Sequence, residues 1–297
     1  MKAGFIGTGS MGCPLADNIL RQEGSLAVYD IDPEAARPLT EKQARLMASP
    51  QAVAAESDVV FACLPSTDSF HAVATGADGV IEGGGAKLFV NLGTMGSTAV
   101  RAVAERLAEA GIETLDCPIT GGTPRAWKGD VTAIASGPRA VFDRVRPLIE
   151  AFASKLVYVG GEIGQSQTLK LINNMLSCAN LALACEGLVM GAKAGLDPET
   201  VLEVINAGSG QNSATSVKIP NHVLSRKFDY NAPMRITRKD LDLWQAEAES
   251  LAVPQWVGNS VRQLYMHSMA MGSEGGDMTE IIKDIENWAG VEVPKTR

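Results

Sequence analysis

The stretch AGFIGTGSMGCPLADNILRQEG, Ala3 to Gly24, decides the fold. It opens on a short apolar run with the length and residue types of a buried strand. It closes on PLADNILRQEG, which reads as a helical run. Between the two lie Gly7, Gly9 and Gly12, a G-x-G-x-x-G pattern set between a strand and a helix. In that context each glycine has its own physical role. The first turns the chain, the second lets a ligand approach the backbone, and the third brings helix against strand.

The ligand suited to such a turn is a pyrophosphate, because the amides at the helix N-terminus face it. Ser10 and Met11 fill the two places between the second and third glycines. Asp30 ends the next apolar run, LAVYD, eighteen residues after Gly12. There a carboxylate can accept from both hydroxyls of a ribose, or it can cap the following turn, DIDPEA. The ribose role favours NAD over NADP, because a carboxylate repels a 2′-phosphate.

Outward from this unit, strand-like runs alternate with helical ones through the first half. DVVFACLP, KLFVNLG, IETLDCPIT, VTAIASG and KLVYVG read as strands, and TAVRAVAERLAEAG and PRAVFDRVRPLIEAF as helices. Such alternation predicts an α/β domain over residues 1–162, a Rossmann-type doubly wound, mainly parallel sheet. After Gly164 the strand signals stop. A helix of roughly thirty residues, about 45 Å, is expected to run to Gly195 and to join this domain to an all-α one over 163–297. Asp197 and Pro198 then supply an N-cap and a first helical residue. Further helices are expected around TVLEVINAG, ATSVKIPNHVLS, RKDLDLWQAEAESL, WVGNSVRQLYMHSM and MTEIIKDIENW, and VEVPKTR reads as a loose tail.

Composition excludes several function classes. Apolar residues make up 45% and charged residues 20%, a globular balance, and the net charge of −8 without any basic block argues against nucleic acid. The five cysteines form no CxxC pair, so they read as reduced thiols of a cytoplasmic protein without a metal site. The N-terminus lacks a secretory signal, and asparagines and a glutamate interrupt the long helix against a membrane span.

Within GQSQTLKLINNML, Gly164 to Leu176, Lys170, Asn173 and Asn174 project toward one side of a helix. A positioned amine can exchange the proton of a reacting hydroxyl, with Asn174 one turn on to orient the substrate. The same residues also suit a solvated helix edge, with the lysine stem snorkelling. Thr120, Gly121 and Gly122 offer either a nest for a carboxylate or a bare turn. Arg125 reads as a surface ion pair or as the recognition group for a second anion.

These segments together resemble the β-hydroxyacid dehydrogenase family along essentially the whole chain. The likeness rests on GFIGTGSMGCPLADNIL, CLP at Cys63 to Pro65, NLGT at Asn91 to Thr94, DCPITGG at Asp116 to Gly122, GQSQTLKLINN, and RKDLDL at Arg238 to Leu243. The resemblance implies an NAD-dependent oxidoreductase that interconverts a small β-hydroxy acid and its semialdehyde or keto acid. It implies Lys170 and Asn174 as catalytic residues and Thr120, Gly121, Gly122 and Asn173 as the substrate's binding groups. Gly7, Gly9, Ser10, Met11, Gly12, Asp30, Leu64, Pro65, Thr94 and Lys239 would line the cofactor, and a homodimer or homotetramer is expected. Imine reduction on the same scaffold, or a cofactor-bound module without chemistry, are the alternatives. The chain departs from the family pattern in Thr120 for a serine, Asn91 and Gly93 for an aspartate and a serine, Ser166 for a glycine, and Arg125 for a glycine.

Overall fold

The computed structural model describes residues 1–294 and divides the chain into two compact units, Met1–Lys170 and Leu171 onward. The division falls eight residues beyond the 162/163 boundary expected from the loss of strand signals. The reason is that the first turn of the long helix is hydrogen-bonded into the sheet unit through Ser166 and Gln167.

In the first unit the described residues form nine strands: β1 (Ala3–Ile6), β2 (Ala27–Tyr29), β3 (Arg45–Leu46), β4 (Val59–Ala62), β5 (Leu88–Asn91), β6 (Glu113–Asp116), β7 (Ile119–Thr120), β8 (Val131–Ser136) and β9 (Ala153–Gly160). The order is β3-β2-β1-β4-β5-β6-β8-β7, with β9 on β8. From β3 to β6 all pairs are parallel, whereas β8 runs antiparallel to both β6 and β7. The expected strand IETLDCPIT is therefore two strands. Pro118 lies at the break and has no N–H to donate to a ladder.

The helices of this unit are α1 (Gly12–Glu23), α2 (Pro33–Thr40), α3 (Pro50–Ala55), α4 (Thr67–Thr75), α5 (Ser97–Glu109), α6 (Thr123–Trp127) and α7 (Arg139–Glu150). Successive strand residues feed opposite faces, as the two-residue period of a strand requires. Phe5, Phe61, Leu88 and Val90 enter a core that also takes Leu15 and Ile19 of α1 and Val145 and Ile149 of α7. Ile6, Val60 and Phe89 enter a second core with Phe70 of α4 and Val100 and Val103 of α5. Both faces being covered explains why these runs are apolar without alternation.

Helix α8 runs from Gln165 to Lys193, 29 residues, and Gly195 follows it in the left-handed region at φ +80. Its length and hydropathy match those of a membrane span, despite the polar residues that were expected to interrupt it. Its packing is that of a core helix, because Met175, Cys178, Leu181, Cys185, Leu188 and Val189 all lie in the core of the second unit. That core is completed by α9 (Pro198–Ala207), a π-helix over Ala214–Val223, α10 (Met234–Ser250), α11 (Trp256–Ala270) and α12 (Ile281–Ala289). Asp197 caps α9 by accepting from the Thr200 N–H, as its sequence position predicts. The tail is not loose over Val291–Pro294. Val293 is buried, and its N–H donates to Glu286 Oε1, which is also paired with Arg226. The rest of that tail lies outside the described residues.

Candidate active site

Four loops of the first unit leave the carboxyl ends of β1, β2, β4 and β5, around the point where the strand order reverses between β1 and β4. In open α/β sheets this is where ligands bind. Gly7 sits at φ +86, and a Cβ there would stand 2.3 Å from the Cys63 carbonyl oxygen. A Cβ on Gly12 would stand 1.8 Å from the Gly7 carbonyl oxygen, so only glycine lets α1 start this close to β1. Gly9 differs: a Cβ there would meet nothing within 4 Å, so the middle glycine opens onto space that a phosphate could approach. Ser10 is exposed and Met11 half-buried.

Asp30 is half-buried at the end of β2. Its Oδ2 accepts from the Thr8 N–H at 2.6 Å, and its Oδ1 from the Asp32 N–H at 3.0 Å. The carboxylate therefore ties the glycine loop to β2 and caps the next turn as well. Leu64 and Pro65 follow β4, Thr94 follows β5, and a Cβ on Gly93 would stand 3.1 Å from the Leu64 carbonyl oxygen, so these loops adjoin. Glycine loop, strand-end acid and adjoining loops together fit a dinucleotide.

Thr120 ends β7, and Gly121 and Gly122 follow at φ +141 and +77, conformations that favour glycine. Thr123, next in line, lies 3.9 Å from the Met11 sulfur, which places this loop beside the glycine loop. Arg125 pairs with Asp130 at 3.0 Å and both are about half-exposed, a surface ion pair.

Lys170 is only 8% exposed. One turn before it, Gln167 and Ser166 enter a buried network that residue spacing did not reveal. Asp116, fully buried at the end of β6, accepts at Oδ1 from Asn91 Nδ2 and Gln167 Nε2, each at 2.8 Å, and at Oδ2 from Ser166 Oγ at 2.5 Å. Gln167 Oε1 in turn accepts from the Met95 and Gly96 N–H groups, and Ser166 shares a 2.8 Å hydrogen bond with Ser136. Burial pushes the Asp116 carboxyl up to about 6, against the hydrogen bonds that favour its anion. A lone acid in the apolar run TLDC was the one available signal.

In the second unit, Asn174 is half-buried and its Nδ2 donates to Asp240 Oδ2 at 2.7 Å. Lys239 Nζ lies 3.2 Å from the other oxygen of Asp240, so this acid brings together two residues singled out from sequence. Asn173 is exposed, and its Nδ2 donates to Asn174 Oδ1.

A doubly wound sheet with this loop and strand-end acid, followed by a helical unit, defines the chain as an NAD(P)-dependent oxidoreductase. Residues 2–160 match the model for the NAD binding domain of 6-phosphogluconate dehydrogenase, and residues 164–285 match that for the NAD-binding of NADP-dependent 3-hydroxyisobutyrate dehydrogenase. The 2-(hydroxymethyl)glutarate dehydrogenase of Eubacterium barkeri is 31% identical over 294 residues, covering 99% of this chain and 97% of its own length. The 3-hydroxyisobutyrate dehydrogenase of Pseudomonas aeruginosa is also 31% identical, covering 94% and 96%. The crystal structure of 3-hydroxyisobutyrate dehydrogenase from Salmonella typhimurium superposes with a TM-score of 0.85 at 26% identity, covering 96% of this chain and 99% of its own. The chain belongs to the β-hydroxyacid dehydrogenase family, and it is a dehydrogenase or reductase acting on a CH–OH group.

Proposed function

We propose that the chain interconverts a small β-hydroxy acid and its semialdehyde or keto acid with NAD, and that Lys170 carries the proton. The observation that supports this reading most is the placement of Lys170. It is a buried lysine one turn beyond a hydrogen-bonded anchor, on a helix that presents Asn174 one turn later. A snorkelling edge lysine would be exposed. When bound, the nicotinamide supplies the hydride acceptor or donor. During oxidation Lys170 accepts the proton leaving the substrate hydroxyl, and during reduction it returns it. Asn174, held by Asp240, orients the hydroxyl, while the Thr120 hydroxyl and the Gly121 and Gly122 amides receive the carboxylate. Lys170 also favours alcohol chemistry over imine reduction and over a module without chemistry.

Asp30 supports NAD over NADP. A homodimer or homotetramer is supported by Leu176, Leu183 and Met190, which recur every seven residues along α8 and are 57%, 69% and 73% exposed, a second apolar stripe opposite the buried one. Five cysteines without a disulfide are in keeping with a cytoplasmic site of action. The test is an absorbance assay with NAD against 3-hydroxyisobutyrate, glycerate, 3-hydroxypropionate, serine, threonate and 4-hydroxybutyrate, repeated with Lys170→Met. At least one acid should turn over. The variant should lose about 10²- to 10⁴-fold in kcat with NAD binding near normal. Retention of more than a tenth of the rate would return Lys170 to a structural role.

A further inference from the structure

The corner between α10 and α11 carries an apolar surface that the proposed chemistry does not use. From Ser250 to Val261 the chain has no aspartate, glutamate, lysine or arginine, twelve residues without a charge in a sequence that is 20% charged. Trp256 is 87% exposed and Val257 73%, and Leu251 and Val253 are each more than half exposed. A tryptophan so placed is the side chain that gains most when a partner covers it.

The corner is fixed from beneath. The Val253 N–H donates to the Ala248 carbonyl, and Trp244 Nε1 donates to Gln255 Oε1 at 2.6 Å. A Cβ on Gly258 would stand 2.9 Å from Trp244 Nε1 and 3.6 Å from Met175 Cε. The first turn of α11 therefore lies against α8 one residue before Leu176, where the exposed stripe of α8 begins. A preformed surface of this kind loses little conformational freedom when it is covered.

We propose that this corner, with Trp256 as its anchor, packs against a second copy of the chain and extends the interface begun by the α8 stripe. The corner and the stripe together offer about 800 Å² of apolar surface, the area that each partner contributes to a stable interface. Neither reaches it alone. A lipid surface fits less well, because peripheral binding draws on lysine and arginine beside the apolar residues. The corner has none, and the chain carries a net charge of −8. A second copy needs no complementary charge, since a two-fold axis sets the same uncharged surface on both sides. The inference rests on the homo-oligomer proposed above.

The test is sedimentation velocity on the full chain from nanomolar to micromolar concentration. Loss of one central interface tryptophan weakens association about 30-fold, and a two-fold pair contains it twice. Trp256→Ala should therefore raise the dissociation constant about 10³-fold, with the far-UV circular dichroism unchanged. Val257→Glu, which sets a charge in the corner, should dissociate the pair as well, and it decides alone if Trp256→Ala does not fold. Association as tight as that of the unaltered chain in both variants overturns the proposal. If Leu183→Glu still dissociates the chain in that case, the homo-oligomer stands on the α8 stripe and only the role of the corner is lost. An unaltered chain that is monomeric at micromolar concentration removes both. Binding of the unaltered chain to phosphatidylcholine vesicles with or without phosphatidylserine, lost in Trp256→Ala, would assign the corner to a lipid surface and overturn the proposal as well.

Discussion

Replacing Asp116 by asparagine should stabilise the sheet unit at neutral pH by about 3 kcal/mol and leave its stability near pH 4 almost unchanged. The folded carboxyl titrates at about 6, pushed up by burial from an ordinary value of 3.8. Between those two points the native chain holds a proton that the unfolded chain has released, so stability falls as pH rises through the window. Above it the full difference is lost. At 1.36 kcal/mol per unit, a shift of about two units corresponds to about 3 kcal/mol. Asparagine carries no charge, and it keeps an acceptor for Asn91 and Gln167 and a donor toward Ser166, so it avoids the desolvation without orphaning a partner. Urea unfolding of both proteins at about pH 4 and pH 7.5 measures the effect as a difference of differences. All other titrating groups cancel, and the m-values report whether the unfolding unit is the same. The gain expected at neutral pH corresponds to a rise in melting temperature of roughly 6–12 °C for a unit of this size. An advantage of equal size at both pH values would refute the reasoning, because it would come from packing and not from the buried charge.

The proton role proposed for Lys170 predicts that Asn174→Ala is the milder lesion, raising KM along with lowering kcat because the role proposed for it is orientation; steady-state kinetics separate the two. NAD should be used with clearly higher kcat/KM than NADP, and Asp30→Ala should narrow the gap, at some cost to the loop it ties through Thr8; equal use of both cofactors by the unaltered enzyme would contradict the ribose assignment. Light scattering at micromolar concentration should show a dimer or tetramer, and Leu183→Glu, a charge on the exposed stripe of α8, should shift it toward monomer.

The fold was legible wherever burial left a pattern. The runs AGFI, VVFA and LFVN are buried on both faces and contain almost nothing but apolar residues, and the glycine loop announces itself because Gly7 and Gly12 have no alternative residue. The edge strand β3 escaped because Arg45 and Leu46 are exposed and two residues make no period. The reversed direction of β8 was invisible for a different reason: side-chain alternation is the same in parallel and antiparallel strands. The π-helix over Ala214–Val223 reads in sequence as an ordinary helix, since its apolar residues still recur every three to five positions. At the site, Lys170 and Asn174 could be picked out as polar residues on an apolar helix. The anchor beneath them could not, because Asp116 and Gln167 lie 51 positions apart and each looks ordinary alone.

Two hydrogen-bonded segments near the first and last described residues bear on how the protein can be handled. Lys2 donates its N–H to Asp58 immediately before β1 begins, and at the other end Val293 plugs the helical core while its N–H and the Arg226 guanidinium share the Glu286 carboxylate. Trimming back to Gly290, a natural cut in a crystallisation screen, would take the buried Val293 and the partly buried Val291 from the helical core and a donor from a buried acid. Such a shortened protein should expose its core to proteases and to dyes that seek apolar surface.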